Sequence, residues 1–212
     1  MSTIPQIAGR VTREPTPRVI TMSVEEFDAC VDEESRAEFM DGKVYLMSPV
    51  SITHADLQGW LTSILSIFVR QRNLGAVYGP EVQMRLGDRR FEPDVLFVSA
   101  ADSSRVKETY IEGPANMAVE IVSPESAGRD WHDKFAAYAE GGVEEYWVID
   151  PASQRCESYR LNDGGYQLTA EEGGKILSRA IIGFYLRSEW LWSGALPDPL
   201  AILEELGVLR RA

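Results

Sequence analysis

The stretch from Met117 to Pro151, MAVEIVSPESAGRDWHDKFAAYAEGGVEEYWVIDP, constrains the fold of this chain more than any other. Two short apolar runs flank a segment, residues 130–140, whose spacing predicts an amphipathic helix. Strands joined through a helix form a crossover, which places the helix on one face of the sheet. The first run carries an acid, Glu120, in its middle. A carboxylate moved out of water without a partner costs several kcal/mol or shifts its pKa. Glu120 therefore either faces solvent from a half-exposed strand or points into a pocket beside a cation.

The segments around this unit read as alternating helices and strands. Thr21 or Ser23 caps a short helix with Glu25 and Glu26 in its first turn. Asp41-Gly42 joins two runs, Ala37 to Met40 and Val44 to Met47, as a hairpin closed by Ser48-Pro49. Leu57, Trp60, Leu61, Ile64, Leu65 and Phe68 recur at helical spacing, so residues 54–72 form a helix ended by Gly75. Residues 76–86 read as one strand with an irregularity at Gly79-Pro80, and a Gly87-Asp88 turn leads to a buried strand, Val95 to Val98. Residues 100–116 are a polar connection. Asn162-Asp163-Gly164-Gly165 turns a hairpin between residues 155–161 and 166–170, and a last helix covers 200–209. The pattern is α/β with a mixed sheet. Residues 1–19, with three prolines, read as an arm, 20–192 as one domain, and 193–212 as a tail with a short helix.

Composition narrows the function classes. A net charge of −12, from 33 acids against 21 bases, disfavours loose binding to nucleic acid, whose affinity rests on Lys and Arg. It leaves room for a metal-bridged contact, because clustered carboxylates bind divalent cations. Cys30 and Cys156 form no CxxC pair, so neither a disulfide framework nor a zinc site is expected. The first 20 residues lack the apolar core of a signal peptide, and no apolar run approaches the ~20 residues that span a bilayer. A soluble cytoplasmic protein is the expectation.

Three residues stand out as chemistry. Asp94, in Pro93-Asp94, stands at the mouth of the 95–98 strand, and alone it is an ordinary turn residue. Glu120 is the acid out of place. Lys134 lies about 40–60° around the helix from Trp131 and Tyr138, at the edge of an apolar stripe that these form with Phe135. By itself it is a lysine that snorkels from a helix border. Together, two acids from adjacent strands and a lysine from the crossover helix can hold Mg²⁺ through hard oxygens, activate water and stabilise charge on a phosphate. His54 opens the long helix, as a cap, a core hydrogen-bonding residue, or a contact to substrate or metal. Asp130 reads as the N-cap of the crossover helix. Ser123-Pro124 ends the Glu120 strand, and Tyr146 and Trp147 read as core.

Asp41-Gly42, Ser48-Pro49, His54, Pro93-Asp94, AVEIVSP and Lys134 followed by YAEGGVEEYWVIDP occur in an order that resembles the Uma-two family, a bacterial group of restriction-endonuclease-like proteins. The resemblance runs from about Ser23 to about Trp192. It implies a PD-(D/E)xK nuclease core: a restriction-endonuclease-like mixed β-sheet flanked by helices, here with an added antiparallel hairpin near the C-terminus. Asp94 matches the Asp of the family's Pro-Asp and Glu120 the Glu of its second half-motif. Where the wider superfamily has the lysine of E-x-K, this chain has Val122, and Lys134 matches the helix lysine that substitutes within the family. Glu38 is similar to the family's early acid, which would complete the metal shell, and His54 matches a recurring position.

The resulting expectation is a Mg²⁺-dependent endonuclease acting on DNA, with Mn²⁺ as an alternative metal. Asp94 and Glu120 bind the metal, with Glu38 beside them, and Lys134 assists. The competing expectation is a catalytically inactive binding or scaffold protein on the same fold, and a third is hydrolysis of RNA or a nucleotide. The apolar stretch Phe184 to Trp192 is expected to be the contact of a homodimer, which would let two sites act on two strands.

Overall fold

The computed structural model describes residues 19–30, 36–192 and 194–209; the expected arm lies, but for Val19, outside them. Its strands and helices follow in the order β1 (Val19–Thr21), α1 (Val24–Cys30), β2 (Ala37–Met40), β3 (Lys43–Leu46), α2 (Ile52–Gln71), β4 (Gly75–Tyr78), β5 (Gln83–Leu86), β6 (Arg89–Phe91), β7 (Val95–Ser99), β8 (Tyr110–Glu112), β9 (Met117–Ile121), α3 (Lys134–Gly141), β10 (Glu145–Asp150), β11 (Arg155–Asn162), β12 (Gly165–Leu168), β13 (Lys175–Leu177), β14 (Tyr185–Arg187), α4 (Ser188–Trp192) and α5 (Pro199–Glu205). A 3₁₀ turn, Ala100–Arg105, follows β7, and a π turn, Arg129–Asp133, leads into α3.

Among the described residues, two six-stranded sheets organise the fold. One runs β1-β3-β2-β6-β5-β8 and the other β12-β11-β10-β9-β7-β4, with β13-β14 as a separate antiparallel pair. β9 and β10 are parallel, as a crossover requires, with Glu120 opposite Val148. Every residue of β9 is buried, so the strand is covered on both faces.

The period-2 alternation of side chains sorts the core into two layers. Val95, Phe97, Met117, Val119, Ile121, Trp147 and Ile149 pack with the apolar stripe of α2 and with Ile202, Leu203 and Leu206 of the C-terminal segment. Leu96, Val98, Ala118, Val122, Tyr146 and Val148 pack with Ala137 and Tyr138 of α3 and with Met84, Leu86 and Phe91 of the other sheet. Glu120 shares the parity of the second set. It points between the central sheet, α3 and the opposing sheet, away from solvent.

Several local readings change. Residues 76–86 are two strands in different sheets, and Gly79-Pro80 is where the chain leaves one for the other. The long helix ends at Gln71 with Arg72 as its C-cap, Asn73 follows in the left-handed region at φ 53°, and Gly75 begins β4. A Cβ on Gly75 would stand 2.1 Å from the Val98 carbonyl oxygen, so its role is close strand approach and not helix termination. Ser23, not Thr21, caps α1: its Oγ accepts from the Glu26 amide at 3.2 Å while Glu26 accepts from the Ser23 amide at 2.8 Å, a reciprocal capping box. Phe184, Leu186, Trp190 and Leu191 are buried in the core of the protomer. The stretch expected to pair two copies is spent on intramolecular packing.

Candidate active site

The α3 helix faces the sheet differently from the reading of an apolar stripe edged by a lysine. Trp131 and Phe135 are only half-buried, while Asp130, Lys134 and Tyr138 are almost fully enclosed. These three stand at i, i+4 and i+8, one above the other on a helical face. The π turn before α3 widens the helix by about one residue per turn and so rotates the faces that follow it. Lys134 therefore projects into the sheet layer, and its burial is tolerated because carboxylates surround it.

Its ammonium lies 2.7 Å from Glu38 Oε1, on β2, and 2.9 Å from Glu120 Oε2, on β9. Glu38 also accepts from the Glu92 amide at 3.1 Å, and Glu120 accepts from the Tyr138 hydroxyl at 2.6 Å. Asp130 Oδ1 stands 3.7 Å from Lys134 Nζ and takes no hydrogen bond, although it is buried. Asp130 does not cap the helix; the π turn begins with no side-chain cap, and the carboxylate belongs to the buried cluster.

Asp94 approaches the same place from the start of β7. Val95 is paired with Val119, which sets Asp94 beside Glu120 across the strands. Asp94 Oδ2 accepts the Ile121 amide at 2.7 Å, continuing the ladder through a side chain. Its Oδ1 accepts from Gln58 at 2.8 Å and from His54 Nε2 at 2.9 Å. Since a carboxylate only accepts, Nε2 carries the proton of that bond, and Nδ1 is buried with no partner among the described residues. Ser51 is the residue that caps α2, accepting the His54 amide at 3.1 Å.

The structure thus brings Asp94, Glu120, Lys134, Glu38 and His54 into one region. All but Glu38 line a cleft of about 880 Å³, together with Asp130, Gln58, Arg36 and Arg129. Sequence reading did not single out Gln58, and it gave Asp130 the role of a cap and Tyr138 that of an apolar stripe residue. Their signal was spacing: His54 and Gln58 are four apart on one helix, and Asp130 and Tyr138 flank Lys134 by four.

Three carboxylates, Glu38, Glu120 and Asp130, surround one ammonium here, with Asp94 beside Glu120, and the electrostatics follow. Burial pushes the Glu120 carboxyl well above its ordinary range, Lys134 opposes this, and Asp130, Asp94 and Glu38 add to it. Asp130 is raised for the same first reason, again against the pull of Lys134. For Lys134 burial works downward, but Glu120, Glu38 and Asp130 outweigh it and hold the ammonium pKa above the usual lysine value.

A divalent cation suits these donors in kind. They are hard oxygens, the carboxyls outnumber the ammonium, and Asp130 Oδ1 has no hydrogen bond. In the arrangement seen, protein donors hold the carboxylates, and no group of three metal-binding side chains converges among the described residues.

The family model of Uma2, described as "Putative restriction endonuclease", matches residues 24–187. Among solved structures, a crystal structure of a putative nuclease belonging to DUF820, from Anabaena variabilis ATCC 29413, matches with a TM-score of 0.69 and 18% identity. That match covers 81% of this chain and 98% of the other, and at this identity it establishes the fold. No curated protein matches the chain. Among the described residues, no helix is long and apolar enough to cross a membrane.

Proposed function

The chain belongs to the Uma2 family of restriction-endonuclease-like proteins, and from that premise we propose that it is a metal-dependent endonuclease that hydrolyses DNA phosphodiester bonds. The observation that carries this reading is the meeting of Asp94, Glu120 and Lys134 at one cleft. Asp94 and Glu120 would hold Mg²⁺ or Mn²⁺, with Glu38 and Asp130 adding negative charge nearby. A bound divalent cation supplies Lewis acidity toward a phosphate oxygen and lowers the pKa of its water.

The rest is the work of the chain's own side chains. Gln58, His54 and the Ile121 amide fix the orientation of Asp94 through three hydrogen bonds. Tyr138 fixes Glu120. Lys134 carries a permanent charge into a dry site, where an ammonium stabilises developing negative charge on a phosphate far better than in water. It does from α3 what a lysine at Val122 would do from the strand.

The decisive measurement is cleavage of plasmid and linear DNA, with RNA in parallel, in Mg²⁺, Mn²⁺ or chelator. Metal-dependent cutting lost in Glu120→Ala and in Lys134→Ala supports the reading. Absence of cutting on every substrate by a folded wild type overturns it. One feature favours the inactive alternative: both Glu120 oxygens are engaged by Lys134 and Tyr138. That alternative predicts no carboxylate-dependent Mg²⁺ binding by calorimetry. Light scattering at micromolar concentration reads whether the chain forms the expected homodimer.

A further inference from the structure

The cleft's cations differ in how they are used. Arg36 donates to Glu92 at 3.2 Å and to the Pro80 carbonyl at 3.3 Å. Lys134 is held by Glu38 and Glu120. Arg129 makes no ion pair among the described residues; its guanidinium rests 4.9 Å from the centre of the Tyr45 ring, and its Nε is buried without a hydrogen-bond partner. It is thus a positioned, unspent cation on the wall of a cleft whose floor is acidic.

The wall bearing β3 is apolar and open. Leu46 and Val50 both line the cleft, and they are 49% and 43% exposed. The carboxylates below are nearly sealed, at 3% exposure for Glu120 and 1% for Asp130. A phosphate must therefore descend to reach them. A duplex is stiff over about 150 base pairs and is gripped through many phosphates at once. A cleft of about 880 Å³ with one uncommitted arginine, on a chain of net charge −12, offers no such array. A single strand needs less: a cation to track its backbone and apolar surface for its bases.

We propose that this cleft takes a single strand of DNA, with Arg129 holding a phosphate beside the scissile one and Leu46 and Val50 packing against a base. The proposal rests on the nuclease reading of the same site and names its substrate class. The test is fluorescence anisotropy with a labelled single-stranded oligonucleotide and its duplex, in chelator, at about 50 and 200 mM salt. The full chain, Arg129→Gln, Arg129→Lys and Leu46→Ser are compared after circular dichroism shows each folded. The single strand should bind at least tenfold tighter than the duplex. Arg129→Gln should weaken it about tenfold and reduce the slope of log K against log salt by about 0.7, one phosphate's share for a single strand. Arg129→Lys should keep that slope, and Leu46→Ser should lose affinity with the slope unchanged.

Equal or tighter duplex binding, or an Arg129→Gln slope identical to wild type, overturns the proposal. Cleavage assays run alongside separate the two readings. If the wild type cuts DNA with metal yet shows no single-strand preference, the substrate assignment falls and the nuclease stands. Strand binding through Arg129 without cutting in any metal leaves the assignment standing and removes the nuclease.

Discussion

Lys134 Nζ lies 2.9 Å from Glu120 Oε2 in a place where both side chains are under 5% exposed, and 2.7 Å from Glu38 Oε1 on the opposing sheet. One ammonium therefore ties α3 to both sheets. Removing one partner of a buried charge cluster leaves the others unpaired, which costs about 3–5 kcal/mol. Lys134→Met is expected to lose stability on that scale in urea denaturation. The triple change Lys134→Met with Glu38→Gln and Glu120→Gln should recover a large part of it. If the single variant is as stable as wild type, the cluster has no structural role.

Asp94 is the acid to test next. Asp94→Asn keeps the size of the side chain and removes the charge, but it sets an NH2 against the Ile121 amide or against Gln58 and His54, so circular dichroism must first show the variant folded. We expect metal-dependent cleavage to fall by at least about 100-fold, and the heat of Mg²⁺ binding to disappear in calorimetry. An unchanged Mg²⁺ affinity would show that Asp94 is not a ligand.

Another buried carboxylate, outside the cleft, ties two segments together. Glu145 Oε2 accepts from the Arg179 amide at 2.8 Å, the Ala180 amide at 2.6 Å and the Ser178 hydroxyl at 3.0 Å, pinning the segment after β13 to the start of β10. Glu145→Ala strands these donors, each worth about 1–3 kcal/mol when buried unsatisfied. A loss of about 3 kcal/mol in chemical denaturation is expected, with Mg²⁺ binding unaffected.

Alkaline pH should unfold the protein through its tyrosines. Burial, with Glu120 nearby, raises the hydroxyls of both Tyr138 and Tyr146 well above 10. Their folded pKa exceeds the unfolded one, so the stability they contribute is complete below about pH 10 and is lost as pH climbs beyond it. Lys134, also raised, acts with the same sign. In a titration from pH 8 to 12, part of the tyrosinate absorbance should appear only together with the loss of circular dichroism. Full ionisation of all eight tyrosines in a folded protein would contradict this.

What the sequence determined was whatever depends on local pattern. The helical spacing of Leu57, Leu61, Ile64 and Phe68, the Asp41-Gly42 turn and the apolar runs around residues 130–140 specify elements by short-range physics, so α2, the β2–β3 hairpin and the β9–α3–β10 crossover were legible. Glu120 was legible as an acid out of place in an apolar run, and Lys134 as a lysine at the border of a helix stripe. Tertiary structure decided what depends on rotation and on distant strands. Asp130 and Lys134 turned out to share the buried face of Tyr138, after a π turn that residue spacing at 100° per residue does not encode. Residues 76–86 divided between two sheets because each half found its own pairing partners, β7 for one and β6 and β8 for the other. The Phe184 to Trp192 stretch looked free until the core claimed it, since apolar residues carry no mark of which surface will cover them. Glu120's own ambiguity, solvent or cation, was settled by a lysine 14 residues away and a glutamate from another sheet.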